Sequence, residues 1–188
     1  MRLPEYSAGA GRKLPAGYDS CSLVSWSMGV WAGQLLFADC ADSFAATVAV
    51  NGTLCPVDDR FGIPEKIFKN TLDTFNEETR AKFYRRMCRG KSNLRHFLSL
   101  PLERTLQSQK NELAYWYREK SCESAERAVY RKIIIADSDC IIPTENQKRF
   151  WEGCRIEIIS GFHYVFPLFQ SWEQLVEYSS SIKFAECS

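Results

Sequence analysis

Three residues have the types and the order to perform acyl transfer: Ser27, Asp139 and His163. A serine hydroxyl is a weak nucleophile until a base takes its proton, and an imidazole serves as that base best when a third group orients it. Ser27 lies in Ser22-Leu23-Val24-Ser25-Trp26-Ser27-Met28-Gly29-Val30-Trp31-Ala32-Gly33. This stretch reads as a short apolar strand, a sharp turn at Ser27 and an apolar helix of small residues, which is the pattern of a nucleophile elbow. The turn restricts bulk near the nucleophile, and Gly29 meets that need. Ser25 stands where the G-x-S-x-G pattern has its first glycine, so the motif is less specific than usual. Taken alone, the stretch also fits a serine in an ordinary strand-to-helix turn.

The downstream residues favour the elbow. Lys132-Ile133-Ile134-Ile135-Ala136 reads as a buried strand that runs out into Asp137, Ser138, Asp139 and Cys140. Ile156-Glu157-Ile158-Ile159 is another strand, ending near His163, one of the chain's two histidines. Serine, acid and histidine in that order, each after an apolar strand, is the order of the α/β-hydrolase fold. His96 falls in a helical stretch and is expected at a surface or an interface. The backbone N–H of Met28, at the start of the helix after Ser27, is placed to stabilise an oxyanion.

The elements that must position these residues follow from patterning. Ala45 to Val50 is a buried strand closed by the turn pair Asn51-Gly52. Strands alternating with helices argue for parallel βαβ units. Helices are expected over 28–37, 65–72, 77–89, 91–100, 102–117, 123–129, 144–151 and 168–178. The helical stretch between the second and third strands is too long for a simple crossover. The expectation is therefore one domain over 1–188, a mostly parallel α/β-hydrolase sheet with a helical lid inserted at about 56–130. The 77–89 helix has Asn76 as N-cap, Glu77 and Glu78 in its first turn and Gly90 just beyond its end. Phe83, Tyr84, Met87 and Cys88 share one side, and Lys82, Arg85, Arg86 and Arg89 the other. That second side reads as purely basic, either a solvated face or a docking patch for an acidic partner.

Composition narrows the classes. The chain has 188 residues, is 45% hydrophobic and 13% aromatic, and carries a formal net charge of +1, so it is globular without the charge of a nucleic-acid binder. No apolar run is long enough to span a membrane, and Met1 to Gly17 has no apolar core of a signal peptide, so a cytoplasmic location is expected. The eight cysteines are scattered with no C-x-x-C pair. They are expected to be reduced thiols, and no metal site or cofactor is expected.

Four blocks carry a family likeness: Val24 to Trp31, Ala49-Val50-Asn51-Gly52-Thr53, Phe61-Gly62-Ile63-Pro64 and Gly161-Phe162-His163-Tyr164-Val165-Phe166. Together they resemble the BioG-type pimeloyl-[acyl-carrier protein] methyl ester esterases, from residue 18 to about 178. Those enzymes are compact α/β-hydrolases of biotin synthesis that cleave the methyl ester masking a carrier-bound pimeloyl chain. The resemblance implies Ser27 as nucleophile, His163 as base and Asp139 as acid, with Asp137 the alternative acid. Asp139 is favoured because the strand has ended there and the loop can turn. Trp26 and Trp31 are candidate substrate-binding residues, with packing of the core as the other role. Lys82, Arg85, Arg86 and Arg89 would receive the acidic acyl-carrier protein.

The family begins with a strand and a glycine-rich loop of Phe-Ala-Gly-Trp-Gly type that supplies a second oxyanion donor. Nothing in Met1 to Gly17 matches that loop, so an N-terminally truncated sheet is expected. The implied reaction is attack of Ser27 on a methyl ester, loss of methanol and hydrolysis of the acyl-enzyme. The alternatives are a generic short-chain carboxylesterase or thioesterase, and a non-catalytic remnant.

Overall fold

The structure is a computed structural model that describes residues 17–101 and 104–180. The reading of a missing N-terminal strand and loop falls on residues 1–16, outside the described residues. Leu102, the expected start of one helix, and residues 181–188 of the tail lie outside them too.

Among the described residues, four strands form one parallel sheet in the order β1 (Ser22–Trp26), β2 (Ala46–Val50), β3 (Lys132–Ala136) and β4 (Ile156–Ile159). Parallel strands are covered on both faces and so read as near-continuous apolar runs. β3 shows the physics most plainly. Ile133 and Ile135 pack with Ala49, with Val30 of α1 (Met28–Phe37) and with Phe150 of α6 (Thr144–Phe150). Their alternates Ile134 and Ala136 pack on the other face with Val48, Val50 and Leu175 of α7 (Trp172–Glu177). The three isoleucines are at most 1% exposed, and each contributes roughly 1.5–3 kcal/mol through burial.

Four helices lie between β2 and β3: α2 (Glu65–Asp73), α3 (Glu77–Cys88), α4 (Lys91–Ser99) and α5 (Leu106–Glu119). They share a third core with α1 and the loops that follow the strands, built on Trp31, Phe68, Met87, Cys88, Phe97, Trp116, Ile142 and Tyr164. Asn76 caps α3 as expected, its side chain accepting from the Thr79 N–H while the Thr79 hydroxyl accepts from the Asn76 N–H.

Several expectations change. The helix at 123–129 is only a 3₁₀ turn, Ala125–Arg127, capped by Ser124. The final helix is shorter than expected because Pro167 and its neighbours form a separate 3₁₀ turn, Phe166–Leu168. The expectation of reduced cysteines fails at one pair. Cys55, which follows β2, and Cys122, which follows α5, form a disulfide with Cα atoms 4.3 Å apart. These residues are the two roots of the helical insertion, and a pair 67 residues apart leaves no local spacing to recognise.

Candidate active site

Each residue of interest follows the C-terminal end of a strand, where open α/β sheets present their ligand sites. Ser27 follows β1 at φ 57 and ψ −128, a backbone conformation that non-glycine residues rarely adopt. Its N–H donates to Val50 O at 2.9 Å and its carbonyl accepts from the Val30 N–H at 3.0 Å, so the strained turn is held on both sides.

The glycine that makes room for the turn is Gly52, not Gly29. A Cβ on Gly29 would meet nothing within 4 Å, whereas one on Gly52 would sit 2.5 Å from Val30 Cγ2 and closer still to the Ser27 carbonyl oxygen. Ser25 is tolerated in place of glycine because Gly33 faces it. A Cβ there would lie 2.6 Å from Ser25 Oγ, against the Tyr130 hydroxyl as well. Burial pushes the Tyr130 pKa up, and the neutral hydroxyl donates to Val30 O at 2.7 Å.

Asp139 is 7% exposed, in the turn after β3. Its Oδ1 accepts from the Ile141 and Ile142 N–H groups at 2.8 and 3.2 Å, and its Oδ2 accepts from Gln147 Nε2 at 2.8 Å. Thr144 closes this turn, accepting from the Asp139 N–H at 3.1 Å and donating to Ala136 O at 2.7 Å. His163, 1% exposed, places Nδ1 at 2.8 Å from Asp139 Oδ2 and Nε2 at 2.9 Å from Ser27 Oγ. Asp137 does not join this line. It is exposed and accepts from the Gly161 N–H at 3.1 Å.

A carboxylate at Nδ1 puts the imidazole proton there and leaves the Nε2 lone pair facing the serine hydroxyl. Such an arrangement can deprotonate Ser27 and return the proton to a leaving group. Met28 opens α1, so its N–H is one of the helix's first four, which have no partner within the helix. Among the described residues, no group of three or more His, Cys, Asp or Glu could hold a metal. Nor is any described helix long and apolar enough to cross a membrane.

Beside Ser27 and Met28 lies a cavity of about 80 Å³, walled by Ile63, Ile67 and Phe68, by Phe83 and Arg86 of α3, and by Leu113 of α5. A larger cavity of about 150 Å³ shares the walls Thr71, Phe83 and Leu113 and reaches Arg80 and Arg104. Neither expected tryptophan lines the cavity at Ser27. Trp31 is 2% exposed, packs against Trp116 at 4.9 Å and donates from Nε1 to Ser121, so its role is in the core. Trp26 turns toward the histidine, its ring 5.2 Å from that of His163 and its Nε1 donating to His163 O at 2.9 Å.

The basic residues do not form one uniform face. Lys82 is paired with Glu78 one turn earlier at 2.6 Å, so an acid does stand on that side. Arg86 turns to the cavity, and Arg89 lies past the end of α3 over the Phe162 ring at 5.9 Å. Arg85 stays exposed, with Nε on Ala81 O. His96 is exposed, with Nδ1 at 3.0 Å from the Tyr164 hydroxyl.

Residues 14–175 match the family described as pimeloyl-ACP methyl esterase BioG. The chain belongs to the BioG family. The crystal structure of BioG from Haemophilus influenzae superposes with a TM-score of 0.78 at 32% identity, over 92% of this chain and 80% of that one. A hydrolase structure from Pseudomonas aeruginosa superposes with a TM-score of 0.56 at 15% identity over 79% of this chain and 61% of that one, a likeness of α/β-hydrolase fold alone. A curated Bacteroides fragilis relative, malonyl-[acyl-carrier protein] O-methyltransferase, is 39% identical over 149 residues. That match takes in 78% of this chain and 30% of the relative, so the chain spans about a third of that protein's length.

Within this BioG-family site, the sequence reading missed the residues that hold the named ones. Gln147 spans Asp139 and Ile142 O, Thr144 closes the acid's turn, and Asn51 reaches the His163 loop. Asn51 did leave a signal, because Asn before Gly at a strand end suits a left-handed turn. Gln147 left none.

Proposed function

We propose that the chain hydrolyses the methyl ester of a carrier-bound pimeloyl chain by a serine acyl-enzyme mechanism. The observation that carries this reading is the buried hydrogen-bonded line Asp139–His163–Ser27, in a chain of the BioG family. His163 Nε2 takes the Ser27 proton as Oγ attacks the ester carbonyl. The Met28 N–H stabilises the oxyanion, His163 returns the proton to the leaving methoxide, and methanol departs. Water activated by His163 then releases the free acid. The α2–α5 insertion acts as a lid, and the cavities along Phe83 and Leu113 take the acyl chain.

The carrier protein docks on the basic side of α3, with Arg85, Arg86 and Arg89 contributing more than Lys82. The Lys82 charge is already shared with Glu78. The name of the Bacteroides fragilis relative describes methyl transfer, but the chain covers 30% of that protein. Here a nucleophile, a base and an orienting acid stand in line, which supports hydrolysis. The same geometry supports an enzyme over a non-catalytic remnant.

A serine-directed fluorophosphonate tests the reading. The expected result is one adduct on the Ser27 peptide, suppressed by excess pimeloyl-carrier methyl ester. Labelling of folded protein at another residue, or none, would refute it. Suppression by a short free ester but not by the carrier-bound one would favour a generic carboxylesterase.

A further inference from the structure

The His163 carbonyl oxygen accepts two side-chain donors. One is Trp26 Nε1 at 2.9 Å, from the residue immediately before Ser27. The other is Asn51 Nδ2 at 2.9 Å, which also lies 3.3 Å from Phe162 O. A carbonyl has two lone pairs, so this acceptor is saturated without help from its own loop.

Asn51 is fully buried at 0% exposure, and its φ of 46 places it in the left-handed region just beyond the end of β2. Its own N–H still follows the sheet, donating to Ile134 O at 3.0 Å. Its side-chain Oδ1 then accepts the Ala136 N–H at 2.7 Å, the bond that a further residue of β2 would have supplied. One amide therefore continues the ladder onto the end of β3, which leads to Asp139, and clamps the loop that carries His163. Trp26 adds the end of β1. The strand ends that bear the nucleophile, the acid and the base are thus joined by contacts outside the triad itself.

We propose that Trp26 and Asn51 are a pair of positioning residues that hold the His163 backbone so that its imidazole stays on Ser27. This rests on the reading of Ser27 and His163 as nucleophile and base. Neither residue touches substrate in this account. Trp26 lies outside the lining of the cavity at Ser27, with its ring against His163, Tyr164 and Phe166. Misalignment of reacting groups by about 1 Å costs up to about 10²-fold in rate. Loosening the clamp should therefore slow the chemical step and leave binding in the apolar cavity intact.

Trp26→Phe keeps an aromatic ring and removes the donor. Asn51→Asp keeps the shape and turns an acceptor toward the two carbonyls. The experiment measures kcat and KM on a short p-nitrophenyl ester, the rate of fluorophosphonate labelling at Ser27, and the thermal midpoint, for wild type and both variants. Trp26→Phe, the milder change, is expected to fold and to lose about 10- to 100-fold in both kcat and labelling rate, with KM within about twofold. Asn51→Asp is expected to lose at least as much, with a lower midpoint.

A folded Trp26→Phe protein with wild-type kcat and labelling rate would overturn the proposal, leaving Trp26 a packing residue. A loss confined to KM would overturn it in favour of a pocket role. If the wild-type protein shows no labelling at Ser27, the reading of the site itself fails and the positioning role falls with it.

Discussion

Asp139→Asn is the sharpest change to make in this site, because the structure dictates how the new amide must sit. Oδ1 of Asp139 receives two backbone N–H groups, from Ile141 and Ile142, and neither can move without opening the turn. The carbonyl oxygen of an asparagine would take that position, and its NH₂ would face Gln147 Nε2 and His163 Nδ1, both now within 2.8 Å of Asp139 Oδ2. Gln147 could answer by turning its amide, since its buried Oε1 has no partner among the described residues, but Nε2 would then give up Ile142 O. His163 has a simpler answer: it accepts at Nδ1 and carries its proton on Nε2.

An Nε2–H aimed at Ser27 cannot take the serine proton. The comparable loss in serine hydrolases is about 10⁴-fold in kcat, which corresponds to about 5 kcal/mol of transition-state stabilisation. Stability should fall by less, on the order of 1–3 kcal/mol for one buried hydrogen bond to a charged group. The assay is steady-state hydrolysis of a short p-nitrophenyl ester, with calorimetric melting to confirm folding. KM should stay within a few-fold, because the cavity walls beside Ser27 do not include Asp139. A folded Asp139→Asn protein retaining more than a tenth of wild-type kcat would refute the claim that Asp139 sets the imidazole tautomer.

Three further outcomes are expected. Gly52→Ala would force a Cβ against the Ser27 carbonyl and Val30. It should cost roughly 1–3 kcal/mol in unfolding free energy by denaturant titration and slow labelling of Ser27, whereas Gly29→Ala should do neither. The Glu157 carboxyl is held below the usual range by hydrogen bonds from the Ser180 N–H and hydroxyl, with Arg155 adding less. A carboxylate with a lowered folded pKa stabilises above its unfolded value, near 4.3, and loses that contribution as pH falls. The melting temperature of Glu157→Gln should therefore drop less between pH 6 and pH 3 than that of wild type. Hydrolysis of the carrier-bound ester should weaken steeply from 50 to 500 mM salt and lose much of that salt dependence when Arg85 and Arg89 become glutamine, while a small neutral ester responds to neither.

The alignment of Ser27, His163 and Asp139 was legible in the sequence because a parallel sheet leaves little choice. An apolar run of Ile133 to Ala136 must be a buried strand, and the first polar residues past it must lie at the sheet's C-terminal edge. The same logic placed Ser27 and His163. Other features depend on which neighbour arrives from elsewhere, and local pattern does not say. Trp26 and Trp31 both suit a pocket by type, yet one meets a carbonyl from β4's loop and the other meets Trp116. The Cys55–Cys122 pairing is fixed by how the insertion closes on itself. The Glu78–Lys82 pair was visible as i,i+4 spacing, but Glu78 was read only as a first-turn acid, so the polar side was taken as purely basic. The small residue that matters at the elbow is supplied by β2's turn, because the close approach comes from the neighbouring strand rather than from the turn's own chain.

Methanol release from a pimeloyl-carrier-protein methyl ester decides whether Ser27 is the esterase nucleophile, using the purified protein beside a Ser27→Ala variant of matched thermal midpoint. The parent protein should release methanol and Ser27→Ala none, while the variant still binds the carrier. Release unaffected by Ser27→Ala, or no release from folded parent protein, would contradict that assignment.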